Sequence, residues 1–188
     1  VPKMACFLTY TLFTFYFILL STLINNSNGA FSEQLSQAIA MKRMEKTSHL
    51  HFYFHDILSG KNPTAVKIAS AANSSFGITM MIDDALTEGP EKTSKLVGRA
   101  QGMYALASLH DASLLMVMNF AFMEGKYNGS GISILGRNPV LHDVRELPIV
   151  GGCGLFRFAR GYALAHTIWF DYKTGDAIVE YNVFVQHF

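Results

Sequence analysis

The stretch from Val144 to Phe170 reads VRELPIVGGCGLFRFARGYALAHTIWF and holds a strand, a glycine corner, a basic turn and a second strand without interruption. Ile149 and Val150 run into Gly151, Gly152 and Gly154. Glycine tolerates positive φ and close backbone approach, so the chain can turn sharply there without steric cost. A phosphate-binding loop is the competing reading, but GGCG has neither the GxxxxGK[ST] spacing nor the lysine that a P-loop requires. Past the corner, Leu155, Phe156 and Phe158 alternate with Arg157 and Arg160, which predicts a short helical or irregular turn. The two arginines are read as structural. A long strand follows from Tyr162.

Working outward, the same period of two recurs. From His49 to Leu58, Leu50, Phe52, Phe54 and Asp56 share one face and His51, Tyr53, His55 and Ile57 the other, and the run stops at Ser59-Gly60-Lys61-Asn62-Pro63. Asp56 therefore continues an apolar face. Further strands are predicted over 66–69, 76–84, 97–109, 113–123, 132–135, 145–150, 162–170 and 177–187. Turns are expected at Glu88-Gly89-Pro90, His110-Asp111, Asn128-Gly129 and Thr174-Gly175-Asp176. No helical spacing follows Thr47. Many short strands joined by brief turns imply an all-β sandwich or barrel, and closure is favoured because it removes exposed edges. Between Ser113 and Met123, both faces are apolar: Leu114, Met116, Met118, Phe120 and Phe122 on one, and Leu115, Val117 and Ala121, broken by Asn119, on the other. With no helix to cover the second face, it is expected to meet another subunit.

At the other end of the chain, Lys3 precedes a stretch from Ala5 to Ile24 that carries no charge. This predicts a signal within residues 1–30, cleaved near Gly29-Ala30 for export to the extracellular space. A retained anchor is the alternative reading of so long an apolar run. Residues 31–48 read as a loosely ordered lead-in and 49–188 as one domain. The formal charge of +1 and the lack of a basic run give no electrostatic case for nucleic acid. Of two cysteines, Cys6 falls in the signal, so Cys153 has no partner and is expected to be a small buried hydrophobe. His49, His51 and His55 share a strand face, yet no Cys, Asp or Glu on that face completes a ligand set, so no metal is expected. Asn73-Ser74-Ser75 and Asn128-Gly129-Ser130 are glycosylation acceptors in expected loops, consistent with export.

The combined pattern of the opening stretch resembles the plant dirigent proteins. Their motif, approximately VRExxVVGGTGxFRxARGYA, is matched by Val144-Arg145-Glu146, Val150-Gly151-Gly152, Gly154, Phe156-Arg157 and Ala159-Arg160-Gly161-Tyr162-Ala163, with Cys153 in the usual Thr position. His51-Phe52-Tyr53-Phe54-His55-Asp56, Asp83-Asp84-Ala85-Leu86 and Gly98-Arg99-Ala100-Gln101-Gly102-Met103-Tyr104 match further family motifs in order. The resemblance implies an eight-stranded antiparallel barrel, of the kind also found in allene-oxide-cyclase-like proteins, assembling as a homotrimer over about His49 to Phe188. It also implies stereochemical control of reactive phenolic intermediates, with no cofactor. Ile134-Leu135-Gly136-Arg137-Asn138-Pro139-Val140 looks like the pterocarpan synthases. These lyases of isoflavonoid phytoalexin biosynthesis, part of plant defence, dehydrate a 2′-hydroxyisoflavanol and close its ring. In the lignan-coupling branch, which guides phenoxy radicals made by a separate oxidase such as a laccase, an Asp stands where this chain has Asn138.

Loss of water from a benzylic alcohol needs a proton for the departing hydroxyl, support for the phenolate-like push and walls that select one face. Asp56 is the candidate acid. An apolar lining would raise its pKa and a nearby Arg145 would lower it, and the sequence leaves these opposed. Arg145 is the candidate cation for a phenolic oxygen and Tyr104 a candidate donor, while Phe54, Asn138, Val179 and Tyr181 are candidate substrate contacts. Taken alone, an Asp at a strand end reads as a turn residue, an Arg before a strand as a surface ion-pair partner and a barrel Tyr as core. The resemblance is what moves them to the pocket.

Overall fold

The computed structural model describes residues 45–188, so the expected signal and most of the lead-in lie outside the described residues. Nine strands follow one another: β1 (Lys46–Asp56), β2 (Ala65–Ala71), β3 (Ser74–Thr87), β4 (Leu96–Leu106), β5 (Ser113–Phe122), β6 (Gly131–Pro139), β7 (Val144–Cys153), β8 (Arg160–Phe170) and β9 (Ala177–His187). The first strand begins at Lys46 rather than His49. Single 3-10 turns at Gly125–Tyr127 and Gly154–Phe156 are the only helical pieces among the described residues, the second where the interleaved Phe and Arg predicted a turn.

All pairings are antiparallel. β3 to β9 pair in chain order, and β1 closes the ring by pairing with β9 on one side and β3 on the other. Eight strands thus form the barrel and β2 is a ninth, paired with β3 alone. The partner of β3 changes from β1 to β2 between Ala85, which faces His55, and Ile82, which faces Ala65. Asp84 sits inside that change of partner.

The parity read from the sequence holds on β1 and β5, where Phe52 and Phe54 and then Met116, Met118, Phe120 and Phe122 are buried. At one end, Phe52, Phe120 and Tyr181 fill the bore, with ring centroids 5.0 to 5.9 Å apart. Below them, Phe156 packs on Phe122 at 5.7 Å, on Tyr127 at 4.9 Å and on His187 at 5.0 Å. Offset and edge-on aromatic pairs at such separations each add about 0.5–1.5 kcal/mol beyond their burial. Polar contacts complete the plug: His187 Nε2 lies 2.9 Å from the Ser48 hydroxyl, which accepts from the Tyr127 hydroxyl at 3.1 Å.

The glycine corner lies at this closed end. A Cβ on Gly152 would stand 2.6 Å from the Phe156 carbonyl oxygen, and Gly154 has φ +64° beside Ser130, so neither position accepts a larger residue without displacement. Cys153 corrects the expectation of a buried thiol, because it is exposed. On β7 it follows the inward parity of Arg145, Leu147 and Ile149, but Gly151 and Gly152 turn the strand away from the bore before it is reached. Outside, register sets Met81, Met103, Val117 and Leu135 side by side across β3 to β6 as a half-exposed apolar row.

Candidate active site

The opposite end of the same bore is hollow. A cavity of about 540 Å³ is lined by Phe54, Asp56, Tyr104, Asn138, Arg145, Val179 and Tyr181, among others, and its mouth is formed by Leu141, Trp169, Phe170 and Tyr172. That volume lies within the usual range for small-molecule sites. The seven candidate residues, drawn from five strands, converge because each takes the inward parity near the same end of its strand. Register opposes Asp56 to Ala177, Phe54 to Val179, Tyr104 to Met116 and Leu114 to Asn138. On β8, Ala165 lies between Arg145 and Tyr181, and its small side chain leaves room for both.

The Tyr104 hydroxyl donates to Asp56 Oδ2 at 3.0 Å, while Asp56 Oδ1 is buried with no partner. Burial of the carboxyl raises its pKa to about 6, partly opposed by the Tyr104 hydrogen bond and reinforced by the Asp176 charge. Of the two effects the sequence left opposed, burial acts, and the lowering comes from Tyr104 rather than from Arg145. Arg145 does not pair with Asp56. Its Nε donates to Asn138 Oδ1 at 3.1 Å and Nη1 to the Asp143 carbonyl at 3.4 Å. No carboxylate within ion-pair distance of Arg145 is found among the described residues. Burial lowers the Arg145 pKa, opposed by Tyr181 and Asp143, but a guanidinium stays charged at any ordinary pH. Burial likewise raises Tyr104 and Tyr181, so both remain O–H donors.

Other candidates go elsewhere. His49 contacts Asn182 at 2.9 Å, His51 contacts Glu180 at 2.7 Å and His55 contacts Thr87 at 2.7 Å, each ring with its own partner. No cluster of potential metal ligands is present among the described residues. Asn73 lies exposed in the turn between β2 and β3, and Asn128 is exposed after the first 3-10 turn. Sequence reasoning passed over Asp176, whose carboxylate accepts from the backbone N–H groups of Leu58 and Ser59 at 2.9 and 3.0 Å and ties the end of β1 to the pocket mouth. It also assigned no role to Asp84, although that residue alternates with buried Ile82 and Leu86 on the inward face of β3.

The barrel is closed and antiparallel, plugged at one end and open at the other onto a cavity that holds a buried carboxyl and a buried guanidinium. The sequence model of the Dirigent-like protein family matches residues 47–186, and the chain belongs to the dirigent family. It is 49% identical over 178 residues to Dirigent protein 21 of Arabidopsis thaliana, covering 92% of this chain and 94% of that one. It is 47% identical over 182 residues to Pterocarpan synthase 1 of Glycine max, covering 93% and 98%. Among solved structures it is similar to the pterocarpan synthase dirigent protein GePTS1, with a TM-score of 0.75 and 50% identity over 78% of this chain and 87% of that one.

Proposed function

We propose that this barrel dehydrates a 2′-hydroxyisoflavanol and closes the resulting quinone methide stereoselectively to a pterocarpan. Asp56 gives its proton to the departing benzylic hydroxyl, which leaves as water. Arg145 holds the phenolic oxygen from which the electron pair is pushed, through a fork that can grip an anion at two points. The 2′-hydroxyl then adds to the benzylic carbon and returns a proton to the Asp56 carboxylate. The bore presents one face of the planar intermediate to that attack. The observation that carries this reading is that a buried carboxyl, its pKa pushed up to about 6 by burial, and a guanidinium with no carboxylate partner among the described residues face one cavity. Asn138 matters here, because an amide orients Arg145 without cancelling its charge, whereas the Asp of the lignan-coupling branch would neutralise it.

The second reading is a non-catalytic guide of oxidase-generated phenoxy radicals, and its support is that several relatives are named simply as dirigent proteins. Purified protein incubated with racemic 2′-hydroxyisoflavanol, with and without a laccase, separates the readings by chiral chromatography. Product from protein alone supports the lyase. An enantiomer bias that needs oxidase supports the guide, and binding with neither outcome leaves a carrier.

Two features of setting belong to the same proposal. The expected signal and the exposed Asn73 and Asn128 support export and glycosylation, tested by a glycosidase-induced gel shift after expression in a secretory host. The row Met81, Met103, Val117 and Leu135 supports self-association as a trimer, since monomers rarely leave contiguous apolar surface in water. Light scattering giving a monomer mass at micromolar concentration would sink it.

A further inference from the structure

Asp84 is fully buried and is not among the residues lining the cavity. The β1–β3 register pairs Tyr53 with Thr87, Phe54 with Leu86 and His55 with Ala85, and Asp56 and Asp84 are the next residues past the end of that ladder. Both alternate with inward residues, Phe54 on one strand and Leu86 on the other. Like charges on adjacent strands of one face are destabilising, and the Asp56 charge does raise the Asp84 pKa. Each carboxyl has one oxygen engaged: Asp56 Oδ2 by the Tyr104 hydroxyl and Asp84 Oδ1 by the Thr64 hydroxyl. Each also has one buried oxygen without a partner, Asp56 Oδ1 and Asp84 Oδ2.

Among the described residues no cation is paired with either carboxyl, and the Arg99 charge lowers Asp84 only as a minor effect. Arg99 is taken by Asp83 at 2.5 Å on the outer face, and Arg145 is held by Asn138. The other titratable groups around the pair are the Tyr104 and Tyr181 hydroxyls, Asp176 near the end of β1, Asp83 beside Asp84, and His55, which is buried against Thr87. Two orphaned acceptor oxygens, one on each carboxyl, need one donor between them, and a single proton supplies it.

We propose that Asp84 is a positioning residue that shares one proton with Asp56 across the β1–β3 seam, so that Asp56 remains able to donate a proton at higher pH than a lone carboxyl would. The exchange is balanced: the proton leaves an oxygen of one carboxylic acid for an oxygen of the other carboxylate, and the net charge of the pair is unchanged. Burial is the main cause holding both groups high, Asp56 to about 6 and Asp84 to about 8, with the Asp56 charge adding to the latter. Such groups titrate as a pair, with one proton retained over the interval between the two steps.

The role in turnover rests on the pterocarpan-forming reading, and the shared proton is testable without it. Parent protein carrying ¹³Cγ-labelled aspartate is titrated by NMR from pH 4 to 10, beside Asp56→Asn and Asp84→Asn. The expected result is two carboxyls that each respond in both steps in the parent. In Asp56→Asn the remaining Asp84 step moves to lower pH. Single, independent steps in the parent, or an Asp84 step unmoved by Asp56→Asn, would overturn the proposal whether or not the protein turns over isoflavanol. Where turnover is present, the alkaline limb of its pH profile should move down by about two pH units in Asp84→Asn, a loss of about tenfold or more near pH 7.5 relative to the parent. Superimposed profiles would remove Asp84 from the chemistry. If Asp84→Asn does not fold, the parent and Asp56→Asn titrations decide the matter.

Discussion

At the closed end of the barrel, the inward face of β1 carries Phe52 inside a packed aromatic cluster, and at the open end the same face of the same strand carries Asp56 beside a cavity. β5 repeats the contrast, with Phe120 and Phe122 at the closed end and Leu114 at the open one. Parity is identical along both strands, so backbone geometry does not distinguish the ends. Side-chain volume does. The rings of Phe52, Phe120 and Phe156 exhaust the bore at one end, Tyr181 stands at the boundary, and Ala165 and Ala177 at the other end leave it unfilled around Arg145 and Asp56. The lesson is a division of labour: packing energy is concentrated at one end and polar groups held at a solvation cost at the other, so substitutions at the two ends should move different observables.

The largest effect is expected from Asp56→Asn, which keeps size and hydrogen bonding and removes the titrating proton. Turnover should fall by about 10²- to 10⁴-fold, the usual range for a general acid, with the melting temperature held or raised. Turnover within threefold of the parent would leave Asp56 structural and favour the guide reading. Arg145→Met should lower kcat/KM by about 10²- to 10³-fold, as when a charge-stabilising donor is lost, without lowering stability. A buried guanidinium without an anionic partner is costly, and an apolar replacement of similar length removes that cost. Thermal unfolding that drops sharply in Arg145→Met would show that the two ends are not separable in this way.

Phe120→Ala tests the closed end. It deletes a fully buried ring in contact with Phe52 and Tyr181 and should cost about 3–5 kcal/mol in chemical denaturation. Turnover per folded molecule should change far less than in Asp56→Asn. A turnover loss of equal size would mean that the plug shapes the pocket rather than merely closing it.

The smallest effect is a pH dependence of stability that belongs to the open end alone. Asp56 and Asp84, raised to about 6 and about 8, bind protons more tightly in the folded chain than in the unfolded one. Below about pH 4, both states are protonated and these groups leave stability intact. From there to about pH 8, the unfolded chain releases protons that the fold retains, so their contribution to stability falls as pH rises and then levels off. The melting temperature of Asp84→Asn should therefore gain on the parent across that window, while Phe120→Ala tracks the parent in parallel. Parallel curves for all three would contradict the raised carboxyl values.

Much of this architecture was legible in the chain. Period-two alternation located all nine strands and placed Asp56 on the Leu50-Phe52-Phe54 face. The motifs from Val144 to Ala163 and from Gly98 to Tyr104 pointed to the family whose model matches residues 47–186. The partners of these residues were not legible. Sequence distance says nothing about whether Arg145 on β7 reaches Asp56 on β1, and in the fold it is Asn138 and the Asp143 carbonyl that it reaches. Cys153 was misread because parity predicts a side and not whether the strand still follows the bore.

The sequence by itself determined which residues are strands and which side of each strand is apolar, because alternation is a property of neighbours along one chain and burial selects for it locally. Only the tertiary structure decided that β1 closes on β3 as well as on β9, and that Asp84 is buried where β3 passes from β1 to β2. Closure and register fix which inward residues share a level of the bore, and both depend on the whole ring of strands fitting at once. For the same reason, the plug and the cavity emerge together: ring volumes add up to fill one level of the barrel and fall short at another, a sum that no single strand contains.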